Sequence, residues 1–162
     1  MKSVLFVCTA NMCRSPMAEA LFQKLVGERG ESEEWWIESA GVSASDAAPA
    51  TENTQLVAAE RGADLSTHLS RRATRDVVEP FSLVLVMDEG HRRALQEAMP
   101  DLAGRVHLLT EMVGQESGIW DPAGSEIENY RTMADQIDGI LRDGYARIRE
   151  LADHSAGSLA GS

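Results

Sequence analysis

Five consecutive residues, Leu83-Val84-Leu85-Val86-Met87, are apolar on both faces of any strand they form, and few folds accept such a strand. It has to be covered above and below, which in practice means a parallel sheet with helices on both sides. The rest of the chain supplies matching parts. Val4-Leu5-Phe6-Val7 is a second apolar run, and Trp35-Trp36-Ile37-Glu38 and Arg105-Val106-His107-Leu108-Leu109 read as two more strands. Helical patterns lie between them, and strands alternating with helices predict an α/β fold with a parallel sheet.

The helix signals are local. Ser15 reads as the cap of a first helix with Pro16 at its first position, and Ala18, Leu21, Phe22 and Leu25 form one apolar stripe that runs out at Gly27 and Gly30. Residues 52–61 predict a second helix closed by Gly62. Thr74 to Glu79 predicts a short helical piece stopped by Pro80, and Asp88 reads as the cap of another that ends before Pro100. Ser125-Glu126-Ile127-Glu128 has capping-box form and opens a final helix carrying Ile127, Tyr130, Ala134, Ile137, Leu141 and Ile148 on one side.

The first apolar run stops at Cys8, and a helix restarts at Arg14-Ser15-Pro16. Five intervening residues, Thr9, Ala10, Asn11, Met12 and Cys13, can curl so that successive N–H groups point at one centre, a nest for an anion. The helix adds its positive end to the same point. A thiolate there is favoured over a thiol, and the Arg14 fork can grip two phosphate oxygens at once. Asn11 tolerates the left-handed backbone that a curled loop needs. In such a sheet ligands bind at the carboxyl ends of the strands, where Cys8 falls.

Departure of a leaving group such as a phenolate needs a proton donor. Asp121, in Ile119-Trp120-Asp121-Pro122, lies on a loop before the final helix; alone, Asp-Pro, a common turn pair, reads as structural rather than catalytic. Asp88 follows the strand at the same sheet edge and reads chiefly as a cap. The four histidines have no ligand spacing, so no metal is expected, and His68 has either a site or a plain structural role.

Composition narrows the classes further. At 162 residues one domain is expected, residues 1–154, followed by a flexible tail, 155–162. The net charge of −11 argues against a nucleic-acid partner. No run approaches the roughly 20 apolar residues of a membrane span, and Val4–Val7 is too short for a leader, so no membrane association and a cytoplasmic setting are expected. Cys8 and Cys13, the two cysteines, suit a reducing compartment.

The segment Val-Leu-Phe-Val-Cys-Thr-Ala-Asn-Met-Cys-Arg-Ser-Pro-Met-Ala-Glu at 4–19 resembles the low-molecular-weight protein-tyrosine-phosphatase family. The resemblance continues through Glu38-Ser39-Ala40-Gly41, Leu65-Ser66-Thr67-His68-Leu69-Ser70-Arg71, Val86-Met87-Asp88 and Asp121-Pro122, nearly the whole chain. It implies a three-layer domain with a four-stranded parallel sheet flanked by helices and the phosphate-binding loop, Thr9 to Ser15, after the first strand. It implies Cys8 as nucleophile, Arg14 as phosphate clamp and Asp121 as general acid and later base, working through a phosphocysteine without a cofactor. Asn11, Ser15, Ser39 and His68 would form the network that holds loop and thiolate. Cys13 would be the redox partner of Cys8.

The implied partner is a phosphorylated protein, with inorganic phosphate or another oxyanion able to occupy the loop, and the implied assembly a monomer or weak dimer. Cys8-Thr9, Ser39-Ala40-Gly41-Val42 and Asp121-Pro122-Ala123-Gly124-Ser125 are also similar to the protein-arginine-phosphatase branch, although that branch favours Thr where Met12 stands. Other departures are Ala10 in place of the usual Gly, and Ala123 and the stretch Val42-Ser43-Ala44-Ser45-Asp46, which carry no aromatic wall. An arsenate reductase would need further cysteines after Cys13, and an inactive anion-binding module would not need the full set of Cys8, Arg14 and Asp121.

Overall fold

The computed structural model describes residues 1–153, so the expected tail at 155–162 lies outside the described residues. Four strands, β1 (Lys2–Cys8), β2 (Trp35–Gly41), β3 (Leu83–Val86) and β4 (Val106–Leu108), form one parallel sheet in the order β2-β1-β3-β4. The helices are α1 (Arg14–Glu28), α2 (Glu52–Glu60), α3 (Arg75–Val78), α4 (Glu89–Ala98), α5 (Ile127–Asp143) and α6 (Tyr145–Ala152). The expected α/β fold is the one observed.

Alternation along β1 divides the core in two. Val4, Phe6 and Cys8 face a layer built from α1, α2, α5 and α6, whereas Leu5 and Val7 face Phe81, Val78 and Leu95 beneath α3 and α4. Phe22 of α1 is fully buried, with ring centroids 5.8 Å from Phe6, 4.9 Å from Trp35 and 6.0 Å from Tyr145. Burial of one such ring is worth about 1.5–3 kcal/mol, so this cluster anchors the helix that carries Arg14.

Three expectations need correction. The helix α1 begins at Arg14 with Cys13 at the N-cap and no side-chain cap, so Ser15 lies inside its first turn; its hydroxyl is drawn to Cys8 and Asn11 instead. Likewise the capping box at 125–128 does not form: Ser125 Oγ donates back to the Pro122 carbonyl at 2.5 Å and Glu126 is the N-cap. The final helix is two helices, broken at Gly144, where an added Cβ would meet Met112 Cβ at 2.8 Å. The close packing of that turn against residue 112 outweighs the continuous apolar stripe. Elsewhere the boundaries move by a few residues, the largest change being β2, which runs on from Glu38 to Gly41, while β4 gives way to a 3-10 turn at Leu109.

Candidate active site

Cys8 ends β1 and is buried, with Sγ 2.9 Å from Ser15 Oγ. The next five residues curl back to α1, and Asn11 takes φ = 58°, the left-handed conformation its side chain makes affordable. Ala10 has no positive φ, so the Cβ it carries in place of the usual hydrogen meets no backbone strain. Gly41 explains how the neighbouring chain comes so near: a Cβ there would lie 2.5 Å from the Thr9 carbonyl oxygen and 2.9 Å from Asn11 N. That approach lets the N–H groups of Val42 and Ser43 bind the carbonyls of Cys8 and Thr9, both at 2.9 Å.

The polar order behind the thiol is fixed by Asn11. Its Oδ1 accepts from the Arg71 N–H at 3.0 Å, which leaves Nδ2 to donate to Ser15 Oγ and Ser39 Oγ, each at 2.9 Å. Ser39 Oγ donates in turn to Glu19 Oε1 at 2.5 Å. The Ser15 hydroxyl, already receiving Asn11, has its own proton for Cys8 Sγ at 2.9 Å or for the Ala40 carbonyl at 3.3 Å. The expected His68 role also has a geometric basis, since Nε2 donates to the Asn11 carbonyl at 2.8 Å. Burial pushes the His68 imidazole down and the Glu19 carboxyl up.

Arg14 is 4% exposed, and both of its terminal nitrogens have partners. Nη1 donates to the Ile119 carbonyl at 2.9 Å and to Asp88 Oδ2 at 3.2 Å; Nη2 reaches Thr9 Oγ1 at 3.4 Å and lies 3.6 Å from Asp121 Oδ2. The loop that carries Asp121 is tied to the sheet by Ile119 N donating to the Met87 carbonyl at 2.7 Å. Asp121 itself remains 45% exposed on its side chain, and Oδ1 accepts from Ala123 N at 3.0 Å. One guanidinium therefore faces two carboxylates at the positive end of α1, in the loop that begins after Cys8, an arrangement that can hold an oxyanion.

The contacts above bring together Cys8, Thr9, Asn11, Arg14, Ser15, Ser39, His68 and Asp121. Cys13 is buried with Sγ 3.5 Å from Thr51 Oγ1, and burial pushes its thiol up. Both cysteines are free thiols. Asp88 caps α4 as expected, accepting from His91 N at 3.1 Å, but it is also an ion-pair partner of Arg14. Sequence reasoning missed Glu19, Arg71, the Ile119 carbonyl and His91. Two of these had a signal: Asp88 and His91 have the spacing of a reciprocal cap, and Glu19 follows Ser15 by one helical turn. Trp120, next to Asp121 in the chain, is 62% exposed. Among the described residues no group of three or more His, Cys, Asp or Glu could hold a metal ion, and no helix is long and apolar enough to cross a membrane.

Comparison with known proteins places the geometry. The family model described as low molecular weight phosphotyrosine protein phosphatase matches residues 3–153. The chain is 34% identical over 140 residues to the protein-arginine-phosphatase of Bacillus subtilis, covering 86% of this chain and 91% of that one. It is also 34% identical over 140 residues to the low molecular weight phosphotyrosine protein phosphatase of Gallus gallus, covering 83% and 88%. Among solved structures, the low molecular weight protein tyrosine phosphatase from T. tengcongensis superposes with a TM-score of 0.85 at 34% identity, covering 91% and 99%. A mutant of YwlE arginine phosphatase with a phosphorylated active site serine does so with 0.83 at 32%, covering 87% and 91%. With a match of that extent on both counts, the chain belongs to the low molecular weight phosphotyrosine protein phosphatase family, cysteine-dependent hydrolases that act on phosphorylated substrates.

Proposed function

We propose that the chain dephosphorylates proteins through a phosphocysteine at Cys8. The observation that carries this reading is the placement of the Cys8 thiol, 2.9 Å from a serine hydroxyl, in a loop closed by the buried Arg14 guanidinium. Cys8 attacks phosphorus in line, forming an S–P bond as the bond to the leaving oxygen breaks, while Arg14 and the loop N–H groups hold the equatorial oxygens. Asp121 gives its proton to the leaving oxygen. It then takes a proton from the water that attacks the phosphocysteine, releasing phosphate and the thiolate. A phosphorylated active-site residue in the YwlE mutant supports a covalent route by likeness.

Phosphotyrosine is the first substrate on this reading, with the exposed Trp120 as the flat surface beside the scissile bond. Phosphoarginine is the second, favoured by the arginine phosphatases among the relatives and by the flexible thioether of Met12. The setting is the cytoplasm, where both thiols stay reduced, with Cys13 able to capture an oxidised Cys8 as a reversible disulfide. The domain is residues 1–154. Steady-state kinetics on phosphotyrosine and phosphoarginine peptides, with Cys8→Ser as control, test the reading: the wild type turns over one or both and the variant neither. Substantial turnover by Cys8→Ser overturns it.

A further inference from the structure

Thr9, the first residue of the loop, has a side chain whose orientation is fixed from outside the loop. His91 sits in the first turn of α4, 3% exposed, and its Nδ1 accepts from the Asp88 N–H at 3.2 Å. That contact assigns the ring proton to Nε2, because a neutral imidazole that accepts at one nitrogen donates at the other. Nε2 lies 2.8 Å from Thr9 Oγ1 and therefore donates to it. Arg14 Nη2 points at the same oxygen from 3.4 Å.

Two donors occupy the two lone pairs of the Thr9 hydroxyl, so its own proton is the capacity it has left. Thr9 is exposed, and the nitrogen it shares, Arg14 Nη2, is the one 3.6 Å from Asp121 Oδ2. The proton is thus presented on the side of the loop where an oxyanion clamped by Arg14 faces Asp121. We propose that Thr9 Oγ1 donates a hydrogen bond to a phosphoryl oxygen of the bound substrate, and that His91 is the positioning residue that turns the hydroxyl that way. The proposal rests on the reading that Cys8 and Arg14 hold a phosphoryl group. It adds to the loop N–H groups a side-chain donor that a hydrophobic residue at position 9 would lack.

The test is a double-mutant cycle on the whole chain with para-nitrophenyl phosphate as substrate and inorganic phosphate as competitive inhibitor. Thr9→Val removes the hydroxyl but keeps the shape. It should lower kcat/KM by about tenfold to a hundredfold, the range for a hydrogen bond to a charged group, and weaken inhibition by phosphate. Thr9→Ser, which restores the hydroxyl, should recover most of both. His91→Phe should lower kcat/KM in the wild-type background and add little in the Thr9→Val background, since its effect passes through the same hydroxyl. Should His91→Phe fail to fold, His91→Gln, whose amide can still donate, takes its place and should fall between the wild type and Thr9→Val. Equal losses in Thr9→Ser and Thr9→Val, or full activity and unchanged phosphate inhibition in Thr9→Val, overturn the proposal. So does an additive effect of His91→Phe. A wild type without turnover would instead overturn the reading of Cys8, which keeps the two failures apart.

Discussion

The division of labour between the two aspartates follows from what each carboxylate touches. Asp121 lies on an exposed loop with one carboxylate oxygen 3.6 Å from Arg14, free to face a leaving group, whereas Asp88 is bound both to a helix end and to the guanidinium. Asp121→Asn should therefore lower kcat/KM, which reports the steps up to departure of the leaving group, by on the order of 10²–10⁴ for a poor leaving group and change it little for para-nitrophenyl phosphate, whose leaving group is already acidic. A uniform loss for both substrates would move the acid elsewhere. Trp120 makes a second residue-level expectation. Truncation by Trp120→Ala should raise KM for phosphotyrosine peptides by several-fold, from about 0.5–1.5 kcal/mol of ring contact, with kcat nearly unchanged. Unaltered KM would leave the substrate wall unassigned.

At the scale of the element, α4 connects stability to the site. Its N-cap Asp88 and N3 residue His91 cap each other, and the same two side chains reach Arg14 and Thr9. Asp88→Ala should cost about 1 kcal/mol in chemical denaturation for the lost cap and should also lower kcat/KM, because Arg14 loses an anchor. Stability loss without any loss of activity would return Asp88 to a purely structural role. Much of this was legible in the residues. The apolar run Leu83–Met87 demanded two covering layers, and Asp88 read as a cap from its position alone. What the chain hid was the reach of His91: nothing in Asp88-Glu89-Gly90-His91 says that the imidazole leans past its own helix to a loop residue 82 positions away. For the same reason the break at Gly144 was invisible, since it depends on Met112 from another part of the chain.

Across the whole molecule the site depends on a core whose aromatic centre spans β1, α1, β2 and α6. Phe22→Ala should destabilise the protein by about 3–5 kcal/mol, seen as a lower urea midpoint, through the cavity it leaves among Phe6, Trp35 and Tyr145. The pH dependence of folding carries a trace of the same packing. Burial pushes the His91 imidazole from 6.5 down to about 4, with Asp88 and Asp121 drawing it up and Arg14 drawing it down. As pH falls below the unfolded value, the unfolded chain takes up a proton that the native state refuses. Stability contributed by neutral His91 is thus complete above about pH 6.5 and is lost as pH falls toward 4. In His91→Gln the fall of the urea midpoint between neutral and mildly acidic pH should be shallower than in the wild type; identical slopes would contradict it. The loop after β1 and the individual strands could be read in advance because each is local in sequence. The thiol's hydrogen-bond order could not, because Asn11 takes its orientation from Arg71 and passes it to Ser15 and Ser39 across three elements.

The central claim is the covalent bond between phosphorus and the Cys8 sulfur, and acid quenching during turnover followed by peptide mass spectrometry reads it directly. With para-nitrophenyl phosphate the Asp121→Asn variant forms the intermediate readily but hydrolyses it slowly, so phosphate should accumulate on the peptide that contains Cys8 and be absent when Cys8→Ala is added. Continued turnover with no phosphate on Cys8 at any time after mixing would contradict it.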